Sequence, residues 1–187
     1  MLPLSDNFED SRSAVQLTLA ARVGLRKGTL LDEALMEQWF GLSDVELTWG
    51  NPDTNLAFFS APPLGADQRI IVLEGEPVGY IRWQSVRDGE YAGTPFERYF
   101  QPAAVRVDVL VGPRDRRMVG LGSVALQRVR EELSGSRGAL TLFGIATVQH
   151  LAARRAFEKA GFLHHVFYDD PRLGPTVAMV CPAVVER

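Results

Sequence analysis

Val105, Val107, Val109 and Val111 take every second position of one short stretch, with Arg106, Asp108 and Leu110 between them. Successive side chains of a strand point to opposite faces, so this alternation predicts a strand with valines buried on one side and Asp108 on the other. Val15–Leu19 alternates in the same way and is expected to be the first strand. Arg69–Leu73 and Val78–Trp83 read as two strands of a hairpin turning through Glu74-Gly75-Glu76-Pro77. Further strands are expected over Gly138–Ile145, Phe162–Tyr168 and Thr176–Val180. A helical period governs 30–42, where Leu31, Ala34, Leu35, Trp39 and Phe40 share a face, and a short helix is expected over 44–51. Two more helices are expected, over 120–133 with a stop at Ser134-Gly135 and over 148–160 with Gly161 closing the last turn. Ser60–Gly65 and the aromatic, charged stretch 88–100 are connections. Strands followed by alternating helix and strand predict an α/β fold around a mixed sheet.

Bulk composition narrows the function classes. The 187 residues suffice for one domain with a substantial core, and residues 1–12 are polar enough to form a loose leader to a single domain over 13–187. A net charge of −3 argues against a nucleic-acid binder or a ligand for anionic membranes. No apolar run approaches the ~20 residues of a membrane span, and no secretory signal is visible, so a cytoplasmic location is expected. The one cysteine, Cys181, excludes an intramolecular disulfide framework and any cysteine-built zinc site. His164 and His165 are adjacent on a strand and face opposite ways, so no metal site is expected.

Three stretches carry candidate chemistry. Arg117-Met118-Val119-Gly120-Leu121-Gly122-Ser123 follows the valine strand and opens a helix. Free N–H groups at a helix start, beside glycines with no side chain in the way, can hold a phosphate; a tight turn with no ligand is the alternative. Asp108 on the preceding strand is placed either to accept a proton from an attacking ammonium or to pair with Arg106 or another cation. The third stretch is the helix ending at Phe157-Glu158-Lys159-Ala160-Gly161-Phe162. Its stripe of Ala153, Ala156, Phe157 and Ala160 is either a packing face or a rest for a slender ligand chain. His150 at its head is a coenzyme contact or a surface residue. Trp83, Glu90, Tyr91 and Glu97 are candidates to line a substrate cleft, against the plainer reading of a packed loop.

Taken together, Arg117-x-x-Gly120-x-Gly122, the later Phe157–Phe162 ending and the position of Asp108 resemble the GNAT superfamily of N-acetyltransferases. The stretches Leu73–Tyr80, Val107–Gly112, Trp39–Ser43 and Trp49-Gly50 are similar to its aminoglycoside 6'-N-acetyltransferase branch. The resemblance implies a mixed sheet of about six to seven strands flanked by helices, and acetyl-CoA as co-substrate. It implies a small-molecule amine as acceptor, with an aminoglycoside, siderophore precursor, polyamine or protein N-terminus as alternatives, in a monomer or homodimer. A non-catalytic acyl-CoA sensor is the rival outside the enzyme class. By the same resemblance Asp108 is the catalytic base and Val109, Leu110 and Val111 offer backbone groups to the pantetheine and thioester. Arg117 to Ser123 grip the pyrophosphate, and His150 and Phe157 lie along the coenzyme. A splay between the Asp108 strand and the next would admit it. Phe157 stands where many members carry a tyrosine that protonates the leaving thiolate. His150 replaces an asparagine, and Ile145-Ala146-Thr147-Val148 stands in place of an acidic segment.

Overall fold

The computed structural model describes residues 18–97, 104–136 and 141–181. The expected loose segment 1–12, Tyr99 and Phe100 lie outside these residues. Seven strands form one sheet in the order β1-β2-β3-β4-β5-β7-β6. They are β1 (Val23–Arg26), β2 (Ala66–Leu73), β3 (Glu76–Ser85), β4 (Ala104–Val111), β5 (Thr141–Thr147), β6 (Leu163–Asp170) and β7 (Gly174–Cys181). Helices α1 (Glu33–Phe40), α2 (Ser43–Trp49) and α3 (Pro52–Ser60) follow β1, α4 (Leu121–Ser136) follows β4, and α5 (Leu151–Lys159) follows β5.

The hairpin between β2 and β3 turns on Glu74 and Gly75, both with positive φ, at 54° and 91°. Two such residues make the turn whose twist matches that of paired strands. Of the expected first strand, Val15–Leu19, residues 15–17 lie outside the described residues, and Thr18 and Leu19 are not in a strand. Residues 18–22 are helical, and the strand lies just after them at Val23–Arg26, antiparallel to β2. Leu19 and Ala20 pack on the core from that helical turn. A few residues of alternation are compatible with either period, and the tertiary contacts decide. Helix α3 was not expected; Asn51 caps it by accepting the Thr54 N–H at 3.0 Å, with Pro52 in the first turn where a missing N–H costs nothing.

Alternation along the strands divides the core. On one face Val105, Val107, Ile81 and Trp83 pack with Leu121, Val124, Ala125 and Val129 of α4 and with Phe157 of α5. On the other face Tyr80, Ile70 and Leu110 pack under α1 to α3 with Met36, Trp39, Phe40 and Phe59. A third cluster, Val86, Phe96, Ala104, Phe143, Ala178 and Val180, covers the second face toward β5 and β7. Arg82 and Asp108 are exact register partners on that second face, in the gap between the two clusters.

The sheet is antiparallel except where β4 meets β5. Among the described residues that parallel pairing covers Ala104↔Thr141, Val105↔Leu142 and Arg106↔Phe143. Beyond Arg106, β4 continues to Val111 beside β3, while β5 continues to Thr147 beside β7. The two strands therefore part at Arg106, and the facing edge of β4 from Val107 onward lacks a ladder partner in β5.

Candidate active site

A cavity of about 470 Å³ occupies this parting. Val109, Leu110 and Val111 of β4 form one wall, and Ala152, Ala153, Arg155, Ala156 and Lys159 of α5 form another. Asp44, Val45, Leu47, Thr48 and Trp49 of α2 close it from the second face of the sheet. The loop into α4 completes it with Arg117, Met118, Gly120, Leu121, Gly122 and Ser123, and His150 stands at the head of α5. The cavity thus runs from one face of the sheet to the other through the gap between β4 and β5.

The loop is shaped to aim backbone at a ligand. Met118 and Gly120 both have positive φ, 67° and 97°. A left-handed conformation costs a non-glycine residue about 1–2 kcal/mol, and such strain collects where backbone is held for a purpose. Turns of this kind make concavities of N–H groups that suit an anion, and here one leads into the free N–H groups of α4. Ser123, buried beneath, donates its hydroxyl to Gly120 O at 2.8 Å and pins the loop to the helix.

Arg117 is turned away from the role of a free cation. Its Nε donates to Val111 O at 3.0 Å and its Nη2 to Gly112 O at 3.1 Å, while Nη1 donates to the Asp44 carboxylate. It fastens the loop to β4 and to α2. The Asp44 carboxyl is held below the usual range, chiefly by the hydrogen bond from Arg117. His150 is shifted down by partial burial and then by Arg117, which favours its neutral imidazole. Arg155 and Lys159 supply exposed cations on the opposite wall.

Asp108 sits beside the cavity on the second face, held by two guanidiniums. Arg82 Nε donates to Oδ2 at 3.2 Å and Arg106 Nε to Oδ1 at 3.0 Å. Burial alone would raise its carboxyl, but the charges and hydrogen bonds of Arg106 and Arg82 outweigh it and hold the group down and ionised. Arg82 is fixed in turn. It lies 4.7 Å from the ring centre of Trp49 and 4.6 Å from that of Phe58, and donates to Asn55 Oδ1 at 3.0 Å. Buried Asn55 donates to Trp49 O and Asn51 O, so α2 and α3 carry the whole chain of contacts.

The remaining sequence candidates lie elsewhere. Trp83 faces the other side of the sheet from Asp108, because it is one residue removed from Arg82; it is core, with Arg69 over its ring at 4.9 Å. Glu90 accepts the Arg87 N–H, and Glu97 accepts the Gly93 N–H. Tyr91 packs edge-on against Phe96 and Phe143, with its hydroxyl toward Arg106, and burial raises it. None of the four lines the cavity. Val119 is exposed outside it. Phe157 is a core residue, its ring 5.1 Å from that of Phe162 and its tip against Gly144. The α2 wall, Arg82, Arg155 and Lys159 were not singled out from sequence. The register of β3 against β4 would have found Arg82, since the residue facing Asp108 is the natural place for its counter-charge.

No protein-family model matches this chain, and no curated protein does. Solved structures do. An AAC(6')-Ib structure in complex with paromomycin and acetyl-CoA superposes with a TM-score of 0.69 at 24% identity, covering 86% of this chain and 93% of that one. This chain has the GNAT fold. The aminoglycoside N-acetyltransferase AAC(6')-Ib11 shares the GNAT fold with it at TM-score 0.64 and 26% identity, over 86% of this chain and 96% of that one. So does a spermidine N-acetyltransferase from Vibrio cholerae in complex with CoA and spermine, at TM-score 0.66 and 10% identity, over 87% and 96%. The observed sheet is mixed and has seven strands, within the six to seven that the resemblance implies. Among the described residues no group of His, Cys, Asp and Glu is disposed to hold a metal, and no helix is long and apolar enough to cross a membrane.

Proposed function

We propose that the protein is an acetyl-CoA-dependent N-acetyltransferase that joins coenzyme and a small-molecule amine in one ternary complex. The observation that carries this reading is the parting of β4 from β5 beside a cavity that ends on the Met118–Gly122 loop. The residues present fit the coenzyme. Strained loop amides and the N-terminus of α4 suit a pyrophosphate, and the alanines of α5 leave room for a slender chain against the free edge of β4. Bound there, acetyl-CoA supplies an activated thioester.

The chain's own groups do the rest. Backbone N–H groups of β4 near Leu110 polarise the acyl oxygen. Arg82 and Arg106 lower the pKa of an amine bound beside them and so enlarge its neutral, nucleophilic fraction. Asp108, kept ionised but weakly basic by the same arginines, relays the released proton through water rather than storing it. Phe157 has no proton to give, so the departing thiolate takes one from solvent. Cys181 is buried in β7 and does not line the cavity, and the amine attacks the thioester directly.

Titration calorimetry with acetyl-CoA and with CoA tests the site directly, and absence of heat with both would end this reading. Steady-state thiol release by Asp108→Asn then tests the relay. The expected result is a fall in kcat/KM of roughly 10²-fold or more; an unchanged pH profile would remove Asp108 from the chemistry.

A further inference from the structure

We infer that the acceptor amine carries a carboxylate, as an amino acid or short peptide does, and that Arg106 receives it. The inference rests on the acetyltransferase reading above and concerns the far side of the same site. On the second face of the sheet, one carboxylate, Asp108, sits between two guanidiniums, leaving a surplus positive charge. The two arginines differ in availability. The Arg82 side chain is 14% exposed, clasped between Trp49 and Phe58 with Nε and Nη1 committed to Asp108 and Asn55. Arg106 is 40% exposed and gives Asp108 a single hydrogen bond through Nε. The surplus charge is therefore presented by Arg106, next to the Tyr91 hydroxyl.

Nearby carboxylates do not reverse this balance among the described residues. Glu90, which with Asp108 acts on the Tyr91 hydroxyl, faces the Arg87 guanidinium at 3.9 Å, so that pair adds no net charge. A polycation entering here meets a like charge, whereas a carboxylate meets a planar donor suited to it. Spacing gives the rough size. The Arg106 guanidinium reaches along β4 to the Asp108 carboxylate, and at about 3.3 Å per residue Leu110 lies about 7 Å beyond Asp108. An amine near Leu110 with its carboxylate on Arg106 matches the length of a dipeptide better than that of glycine.

Thiol release from acetyl-CoA is measured with triglycine, triglycine amide, kanamycin and spermine. Triglycine is expected to exceed its amide at least tenfold in kcat/KM. Arg106→Gln should abolish that preference, bringing triglycine down to the level of its amide, and Arg106→Lys, which keeps the charge, should restore most of it. Equal rates on triglycine and its amide, preference for kanamycin or spermine, or bound acetyl-CoA with no amine acetylated would each overturn the inference. Calorimetry on the same samples separates the two claims: without acetyl-CoA heat the coenzyme site itself fails, and with heat only the acceptor assignment does.

Discussion

Asp44 of α2 and Arg117 of the loop before α4 form an ion pair that ties a helix on one face of the sheet to the loop entering a helix on the other. Both line the cavity between β4 and β5. The pair couples the wall on the amine's side to the loop proposed to hold the coenzyme. With 42% and 26% of the two side chains exposed, its effect on stability is small, at most about 1 kcal/mol. Asp44→Asn is therefore expected to lower Tm by no more than about 4 °C. Releasing Arg117 should loosen the loop, so CoA affinity is expected to fall several-fold, as read by calorimetry.

Gly120 and Gly122 answer differently to the same substitution. Gly120→Ala puts a side chain at φ +97°, with its Cβ 3.3 Å from Leu19 Cδ2. It should cost about 1–2 kcal/mol in urea unfolding and weaken CoA binding as well. Gly122 has no such conformational demand, and a Cβ there meets only Ala156 at 3.6 Å and Val109 at 3.8 Å, ordinary contact distances. Gly122→Ala should leave stability near wild type and still lower CoA affinity, because the methyl enters the cavity wall.

The tip of Phe157 is packed against Gly144, where a Cβ would lie 2.1 Å from Cζ. Phe157→Tyr adds an oxygen at that tip, in a place with no room, and should destabilise the fold by roughly 1–3 kcal/mol. It is not expected to raise kcat by providing an acid for the thiolate. Gly144→Ala presses on the same contact from the strand side and should destabilise by a similar amount; thermal melting and thiol release check both.

Asp32 accepts the Thr29 N–H at 2.9 Å and two hydrogen bonds from Arg26, of 2.8 and 2.6 Å. The Arg26 hydrogen bond, working against burial, holds its carboxyl at about 2. A carboxyl depressed on folding contributes stability above its unfolded pKa and loses it as pH falls. With Arg26 partly exposed, the contribution is about 1–2 kcal/mol at neutral pH. Asp32→Asn should be less stable by that amount at pH 7, and the two proteins should converge between about pH 4 and pH 2 in urea unfolding.

Local order was legible and cross-chain placement was not. The β2–β3 hairpin, the valine strand and the two helices after it followed from period and turn chemistry, because each is decided within about a dozen residues. Asn51-Pro52 is an equally local signal for α3, an N-cap with proline behind it, and a reading by apolar period passes over it. Trp83 illustrates the other limit. Its type suits a substrate cleft, yet its face is fixed by the register that sets Arg82 opposite Asp108. Likewise Phe157 sits on the motif helix but points into the core, and Asp44 reaches the site from a helix more than seventy residues upstream. Single residues mark candidate chemistry; only the folded register says which of them meet.

Among the described residues, three pairs join β4 to β5. The sheet is thus two leaves, one of four strands and one of three, stitched at a single seam, with α4 lying over the first and meeting α5 beside the second. An occupant of the unstitched length would take hydrogen bonds that a neighbouring strand would otherwise have supplied, and so would complete the architecture while being positioned by it. Substrate and scaffold would then share one set of backbone bonds, and the molecule would be at its most rigid when loaded.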